Sequence, residues 1–355
     1  MFHTIISHQK PHLDEICAIW LLRKFGEEKF PGVNSARLVF DRSQASGQSS
    51  ADFEKEGILL IGIGEGRGRF NEHPVNGDRK EGECAATLVA KELGVDDDPA
   101  LQKILRYVLV TETQGGAKPF ELSAVVKTLS DEEPEKLVEW TIRALEAKYN
   151  EQFQFWSKTK EAFEKNAKIE TVPGLNGRML KIAAVVSDER LVYRFAFSLH
   201  GGRTAIVIQQ KSSGNVQIFM NKRFGLWMDD IAQMLRIEEQ RVKSNVVITD
   251  WEMLKAEGKI DGVEEWYYHR AAQMLLNGSL TAPNVPPTKL SLGKIMKIVK
   301  VGVNSQAFEP FRSSQCRRGK CTSRKNDQCG WYEWGLHRCR EIRYRMKNQN
   351  SSNSR

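Results

Sequence analysis

The first 26 residues change their hydrophobic period within a few positions, and this change constrains the fold more than any other feature of the chain. Residues 2–6 (FHTII) are rich in β-branched and aromatic side chains, which fit a short buried strand. From Ile16 the apolar residues recur every three or four positions, and Gly26 stands where a helix would end. The chain is therefore predicted to open with a strand, a polar turn (SHQKPHLDE) and a helix.

The same alternation continues through the N-terminal third of the chain. Apolar runs at 36–40 and 57–63 predict two further strands. Helical patterns lie at about 14–25, 83–94 and 99–112. Strands that alternate with helices predict a mainly parallel sheet, so we expect an α/β domain over residues 1–130.

The pattern of apolar and polar residues changes in the second half of the chain. Residues 131–169 form a charged helical stretch, which predicts a connector. After Pro173, short β-rich runs are separated by Asp-Glu, Gly-Gly and Ser-Ser-Gly, as in an antiparallel sheet. Further helices are predicted near 228–236, 250–257 and 264–276. We therefore expect a second, α+β domain over 170–310 and a short Cys-rich tail over 311–355.

Charge and hydropathy limit the partners that the chain can have. Its formal net charge is +8, but the tail carries twelve Lys or Arg and three acids, so residues 1–310 have a net charge of −1. The basic character is thus a property of the tail. The longest apolar runs are too short to span a membrane, and the first residues lack a signal-peptide pattern. These features predict a cytoplasmic protein without a membrane partner.

The polar turn between the first strand and helix carries the strongest candidate site. His8, His12 and Asp14 fall within seven residues, and in α/β sheets ligands gather beyond the carboxyl ends of the strands. Neutral imidazole and carboxylate together are typical ligands of a divalent metal ion. Alternatively, Asp14 caps the helix and the histidines are polar loop residues.

A second candidate follows the third predicted strand, in the segment GIGEGRGRFNEHP. Repeated glycines let the backbone approach a ligand, and Arg67 and Arg69 could meet a phosphate. Glu72 and His73 would add oxygen and nitrogen ligands if this loop ends beside the first one. The alternative is an exposed glycine-rich hairpin. Glu112, just before a Gly-Gly pair, is a possible late acidic ligand or simply part of a helix end.

The second domain offers an anion-binding candidate. In SLHGGRTAIV, residues Gly201, Gly202 and Arg203 lie between predicted strands, where a glycine turn would present backbone amides and a guanidinium group. His269 is a further candidate for substrate contact, although a packed histidine is the simpler interpretation. Arg203 is the preferred substrate contact.

In their order along the chain, these motifs resemble the DHH (Asp-His-His) phosphoesterase superfamily. The opening is most similar to the melanocyte-proliferating-gene type of metal-dependent hydrolase, and the resemblance covers about the first 120 residues. It implies a two-domain hydrolase of phosphodiesters with manganese or a similar ion. It makes His8, His12 and Asp14 the first ligand group and places His73 at the last position of the motif that names the superfamily.

This chain departs from the family pattern at three positions. It has Asn71-Glu72-His73 where the family has Asp-His-His, and Gly62 where the family has a ligand aspartate. The late aspartate is replaced, with Glu112 or Gln114 nearby. The departures leave room for one metal in place of two, or for lost catalysis.

Two functions from different classes follow. One is a metal-dependent phosphoesterase, with Asp14 and His73 as catalytic residues and Arg67, Arg69 or Arg203 stabilising charge on the phosphate. The other is a catalytically degraded protein that binds nucleotide or nucleic acid. A third possibility makes the tail the functional part and the remainder a scaffold.

The tail could carry a separate metal site. Cys316, Cys321, Cys329 and Cys339 could close a tetrahedral zinc site. The spacing is looser than paired CxxC motifs, and disulfides or a disordered basic tail are the alternatives. Aromatic and basic residues are interleaved there, which predicts contacts with single-stranded nucleic acid. They are Trp331, Tyr332 and Trp334 with Arg317, Arg318, Lys320, Arg338 and Arg340.

Overall fold

The computed structural model divides the chain into two compact units, Met1–Ser157 and Lys158–Arg355. The structure describes residues 1–40, 49–63, 68–72, 82–174, 178–245, 248, 250–279, 281–303 and 318. Each unit has its own hydrophobic core. The predicted connector is divided between the two units, because the division falls inside residues 131–169.

The first unit is an α/β arrangement around a parallel sheet. Its elements are β1 (Thr4–Ser7), α1 (Leu13–Phe25), β2 (Arg37–Phe40), α2 (Ser50–Lys55), β3 (Ile58–Leu60), α3 (Ala85–Glu92), α4 (Gln102–Gln114), α5 (Leu122–Thr128) and α6 (Pro134–Gln154). Within the described residues the strands form a three-stranded sheet in the order β2-β1-β3, with Thr4 opposite both Arg37 and Ile58. The predicted parallel sheet is confirmed.

Helix α1 is the centre of the first unit. All its residues from 13 to 22 are buried, because α3, α4, α5 and α6 pack around it on the sides that the sheet leaves open. A helix that is apolar on all sides belongs in a core. Among the helices that the structure describes, none is long and apolar enough to cross a membrane.

The second unit is built on a mixed sheet. Its elements are α7 (Lys160–Asn166), β4 (Ala167–Pro173), β5 (Met179–Val186), α8 (Val192–Phe197), β6 (Ile206–Gln210), β7 (Val216–Met220), α9 (Asp229–Val242), α10 (Trp251–Leu254), β8 (Tyr267–His269), β9 (Met274–Leu276) and α11 (Leu292–Val303). The described strands form a six-stranded sheet in the order β4-β5-β6-β7-β9-β8. Only the β5–β6 pair is parallel among these described pairs.

Two predictions for this unit are wrong. Residues 192–197 form helix α8 rather than a strand, because Val192, Phe195 and Ala196 recur at helical spacing and are buried together. This crossover makes β5 and β6 parallel. Residues 264–276 form the β8–β9 hairpin rather than a helix.

The hairpin follows a period of two that the helical interpretation missed. Trp266 and Tyr268 are buried whereas Tyr267 between them is exposed. The turn that joins the strands is closed by the Gln273 amide, which donates to Arg270 O at 3.0 Å, and Gln273 adopts a positive φ of 54°. A left-handed residue of this kind ends a helix and suits a turn.

A buried arginine fixes the loops beside the hairpin. The Arg236 side chain, on α9, is fully buried and donates to four backbone oxygens at 2.6 to 3.0 Å. These acceptors are Leu254 O, Ala256 O, Gly258 O and Trp266 O. Burial lowers the pKa of Arg236 to about 10, so the guanidinium remains charged at neutral pH. One side chain thus holds the segment from α10 to β8 against α9.

We expect Arg236→Lys to lower the free energy of unfolding by about 2 to 4 kcal/mol, because an ammonium group cannot reach the four carbonyls that the guanidinium fork satisfies. Urea unfolding curves of the full chain give this value. Arg241→Lys is the matched control: Arg241 lies on the same helix, partly exposed, and should change stability by less than about 0.5 kcal/mol. Equal stability of the two variants would contradict the role of Arg236.

Candidate functional site

The carboxyl ends of the strands in the parallel sheet bring together several of the predicted residues. His8 directly follows β1, and the first turn of α1 carries Asp14. Directly after the neighbouring strand β3, Ile61 forms a parallel bridge with Phe70, so Asn71 and Glu72 come next to the same edge. The N-terminus of α3 also reaches this edge, because the Ala85 and Ala86 amides contact Asp14. The predicted convergence of the first two loops is therefore present for Asp14 and Glu72.

Asp14 joins the two helices at this edge. Its Oδ2 accepts from the Ala85 amide and its Oδ1 from the Ala86 amide, both at 2.9 Å. The Cys84 thiol bonds to the same carboxyl group. Asp14 lies on α1 but caps α3. These contacts do not support the alternative in which Asp14 caps its own helix. A carboxylate at a helix N-terminus is favoured by the helix dipole.

The pKa of Asp14 is raised to about 7, chiefly by burial. The hydrogen bond from the Ala86 amide opposes this rise, and the negative charge of Glu72 adds to it. Glu72 is itself buried. The sheet edge thus holds two acidic groups that share one water-poor environment. At neutral pH, Asp14 is close to the midpoint of its titration and can exchange a proton.

Glu15 is the site residue that the sequence patterns did not single out. Its Oε1 bonds to Nδ1 of His8, and its Oε2 accepts from the backbone amide of His12 at 2.8 Å. Gly62 has φ +68°, and a Cβ added to it would overlap the Glu15 carboxyl group. The glycine at the position where the family has a ligand aspartate is therefore required by Glu15. The adjacent Asp14-Glu15 pair was the only signal in the sequence.

The other predicted ligands are less closely placed or fall outside the described residues. His12 is exposed at the residue before α1, and Glu112 lies half-buried in the last turn of α4. Among the described residues, no group of three or more His, Cys, Asp or Glu side chains has an arrangement that could hold a metal ion. The remaining predicted residues lie outside the described residues. They are Arg67, His73, Cys316, Cys321, Cys329 and Cys339.

The structure uses Arg69 within the protein instead of leaving it for a phosphate. Its guanidinium makes two bonds to the Glu54 carboxylate and one to Glu92, each at 2.9 Å. The same group lies 6.0 Å from the centroid of the Phe30 ring. The two acids already supply the anionic partners that the prediction assigned to a ligand.

The predicted anion-binding turn is also closed by its own contacts. The amides of Gly201, Gly202 and Arg203 donate to Ser198 Oγ, Leu199 O and Ser198 O, at 3.2, 3.1 and 2.9 Å. The turn that follows α8 therefore uses these amides for its own hydrogen bonds, and an anion contact at this turn stays a prediction. The Arg203 side chain of this segment is exposed.

His269 makes local contacts. Its Nδ1 accepts from the Ala272 amide at 3.3 Å and lies 3.5 Å from Glu257 Oε1. These contacts belong to the turn that joins β8 and β9, and they favour the structural interpretation over a substrate contact.

Arg203 belongs to a larger basic surface at one end of the mixed sheet, which we term the basic end. Its members, all exposed, are Arg178, Lys181, Arg203, Lys222 and Arg223. The strand directions bring the start of β5, the start of β6 and the end of β7 to this end. No hydrogen bond or ion pair joins these five side chains to an acid within the part of the chain that the structure describes.

Individual contacts confirm that the members of the basic end are neighbours. A Cβ built on Gly202 would lie 3.2 Å from Nζ of Lys181. The Asn221 amide donates to Ala205 O at 2.9 Å, which sets the loop with Lys222 beside that with Arg203. The Arg178 guanidinium lies 4.3 Å from the centroid of the Phe224 ring.

The sequence contains a pattern that indicates the basic end, although the sequence analysis did not recognise it. The three segments that form it, residues 171–181, 198–205 and 220–228, contain no Asp or Glu. These segments are far apart along the chain, so the charge of each is unremarkable by itself. The strand order combines them into one surface.

Comparisons with known proteins give no assignment. No protein-family model matches the chain, and no curated protein matches it. Among solved structures, an uncharacterized protein from Helicobacter pylori G27 is similar at 11% identity, with a TM-score of 0.24, over 85% of this chain and 99% of that one. A TM-score this low supports no conclusion about fold or function.

We expect Asp14→Asn to change how stability depends on pH. Because the folded state holds the Asp14 proton up to about pH 7 and the unfolded state releases it near 3.8, the wild type loses stability between these values. The stability of Asp14→Asn relative to wild type should therefore rise between pH 4 and 7, by an amount on the order of 4 kcal/mol, and stay constant above.

Urea unfolding at a series of pH values measures this difference. Asp52→Asn is the control, since Asp52 is exposed and its pKa is lowered by Lys55 and Ser49. Its difference from wild type should stay constant over the same pH range. Parallel pH profiles for Asp14→Asn and wild type would contradict the buried, proton-holding state of Asp14.

Proposed function

We propose that the chain binds nucleic acid through the basic end of the mixed sheet. The observation that carries the proposal is the set of five exposed cations that have no acidic partner within the described residues. Phosphates along a nucleic-acid backbone supply repeated negative charges, and binding to them releases condensed counterions. A group of cations that the described residues leave unneutralised is the surface that such a ligand would neutralise.

Other cations of the same unit support this interpretation by contrast. Lys243 pairs with Glu265 at 2.7 Å, and Lys300 pairs with Glu170 at 2.5 Å. These side chains are neutralised within the unit. The basic end differs because the segments that form it lack acids altogether, so a local excess of positive charge remains there.

The predicted tail would extend this interface. We propose that in the cytoplasm Cys316, Cys321, Cys329 and Cys339 hold one zinc ion, and that the surrounding basic and aromatic residues add contacts to single-stranded nucleic acid. Metal analysis of freshly purified, reduced protein tests for the zinc. Removal of residues 311–355 should weaken binding and reduce its salt dependence.

We expect the triple variant Arg203→Gln, Lys222→Gln and Arg223→Gln to bind a short single-stranded oligonucleotide more weakly. Each lost phosphate contact lowers the slope of log affinity against log salt by about 0.7, so the slope should fall by about 2. Fluorescence anisotropy at several salt concentrations gives both quantities.

Lys168→Gln is the matched control for this experiment. Lys168 is exposed on the same sheet, near the start of β4, and β4 is antiparallel to β5, so it lies toward the opposite end. Its slope should match that of the wild type. If the triple variant and the wild type bind with the same affinity and slope, the basic end is not the interface.

A second candidate function, hydrolysis of phosphodiester bonds with a divalent ion, is favoured by the buried acidic pair. Asp14 and Glu72 lie in one desolvated position, and a divalent cation bound beside them would favour the charged form of both carboxyl groups. A bound manganese ion would lower the pKa of its water toward about 7 and polarise a phosphoryl oxygen. Asp14 would remain held by the α3 amides while contacting the ion.

If this second function holds, manganese should raise the melting temperature of the wild type and support release of nucleotides from short RNA or DNA. Glu72→Gln should remove both effects, because it lowers the charge of the pair and keeps its size. Glu83→Gln, an acid that pairs with Lys91, serves as the control and should retain them. Binding of oligonucleotides without manganese-dependent cleavage would leave binding as the function.

A further inference from the structure

Strand β4 forms one edge of the mixed sheet among the strands that the structure describes. Its four central residues, 168–171, are all exposed, and Ile169 is 48% exposed. The other edge strand, β8, differs, because Gly258 exchanges two backbone hydrogen bonds with Tyr268, at 2.8 and 3.0 Å, and covers that edge. An exposed edge strand presents unpaired amides and carbonyls to which another strand can add.

The hydrogen bonds of the sheet show which backbone groups of β4 point outward. The Gly174 amide donates to Arg178 O at 2.8 Å, just beyond the last β4–β5 pair. Because hydrogen-bonded and non-hydrogen-bonded pairs alternate along an antiparallel ladder, the even-numbered residues of β4 bond to β5. Lys181, opposite Thr171, instead accepts with its carbonyl from the residue directly before β6. The backbone groups of Ile169 and Thr171 therefore face away from the sheet.

These outward groups lack a hydrogen-bond partner in the described part of the chain. The carbonyl of Ala167 also faces outward, whereas its amide donates to Phe163 O at the end of α7. Pro173, the next outward position, has no amide, and an outward position on an edge strand is where a sheet tolerates proline. The edge thus offers two free donors, the amides of Ile169 and Thr171, with acceptors beside them.

The side chains of this segment are complementary to those of a second copy. Lys168 and Glu170 lie on the same face of β4 and carry opposite charges. If two β4 strands pair antiparallel about a two-fold axis at Ile169, Lys168 of each copy lies directly opposite Glu170 of the other. Opposite charges in cross-strand pairs stabilise a sheet, and the axis generates two such pairs. Glu170 also accepts from Lys300 Nζ at 2.5 Å, and a carboxylate has the capacity for both ammonium groups.

Charge also disfavours the neighbouring registers. An axis at position 170 would oppose the two Glu170 carboxylates, and an axis at position 168 would oppose the two Lys168 ammonium groups. The register centred on Ile169 brings the two Ile169 side chains together on the other face of the strand. It also gives both outward amides an acceptor, since Ile169 would donate to Ile169 of the other copy and Thr171 to Ala167.

We propose that a second copy of this chain pairs with β4 in the antiparallel register centred on Ile169, so that the mixed sheets of the two copies join through their β4 edges. The pairing goes beyond the proposed function, and neither depends on the other. The two-fold axis turns the basic ends of the two copies in opposite directions along the joined sheet. Each copy therefore keeps its own cations for an oligonucleotide, and the salt slope per chain does not depend on the pairing.

Reversal of single charges tests this register. Lys168→Glu places a carboxylate opposite Glu170 of the other copy, and Glu170→Lys places an ammonium group opposite Lys168. We expect each variant alone to dimerise at least about tenfold more weakly than the wild type. An equimolar mixture of the two variants should recover the dimer, because every facing pair is then of opposite charge. Sedimentation equilibrium of the full chain over a range of concentrations measures these affinities.

A proline tests the backbone pairing without a change of charge. Because the Thr171 amide faces away from β5, Thr171→Pro removes no hydrogen bond of the sheet but removes a donor to the other copy. This variant should keep the urea midpoint of the wild type and dimerise about tenfold more weakly. Lys136→Glu, at an exposed residue of α6, is the control for charge reversal and should dimerise like the wild type.

Three outcomes would overturn the proposal. The first is a wild type that stays monomeric at every concentration. The second is a wild-type dimer that both charge reversals leave intact, because such a dimer would use another surface. The third is a pair of variants that are folded by urea unfolding but do not associate when they are mixed. The test of the basic end is separate, because it measures oligonucleotide affinity and not association of the chain.

Discussion

The bond between the Asp14 carboxyl group and the first amides of α3 is the interaction on which the first unit depends. It ties the central helix α1 to a helix that begins 72 positions later than α1 in the chain. The carboxyl group is buried, so a displaced α3 would leave it without its donors in a water-poor position. The side chains near Asp14, including that of Glu72, therefore have to pack around this bond.

The hydrogen bonds to α3 occupy part of the Asp14 carboxyl group but leave it able to accept further contacts. A carboxylate has about four lone-pair positions, and two amides occupy only part of that capacity. Glu15 restricts the edge more strongly, because it bonds to His8 and fills the space above Gly62. The family resemblance implies an aspartate at position 62, and such a side chain would overlap Glu15. The close approach of Glu15 therefore gives a physical reason for one departure from the family pattern, the glycine at position 62.

The second unit uses its arginines in two opposite ways. Arg236 is buried and satisfied by backbone oxygens, and it stabilises the loops without any acid. The cations of the basic end are exposed and have no acidic partner in the described residues. The closed glycine turn before β6 fixes the backbone at Arg203, so the turn positions a side chain where its amides were expected to bind. A rigid backbone that holds exposed, unneutralised cations in place is suited to contacts with phosphates.

The sequence by itself determined most of the elements of the first unit. The strands at β1, β2 and β3 and helices α1, α3 and α4 follow from hydrophobic periods that depend on residues two to four positions apart. The same local patterns placed Asp14 and Glu72 after strands of one parallel sheet, which was enough to expect them at one edge. The β8–β9 hairpin was missed because WYYHRAAQMLL satisfies a helical and a strand period at once, and only the burial of Trp266 and Tyr268 against α9 selects the strand.

Tertiary structure alone decided which partner each polar group finds. Local sequence could not show that Asp14 caps α3, that Arg69 is held by Glu54 and Glu92, or that three acid-free segments meet at one end of a sheet. Each of these contacts joins residues far apart in the chain, and strand order and helix packing set their distances.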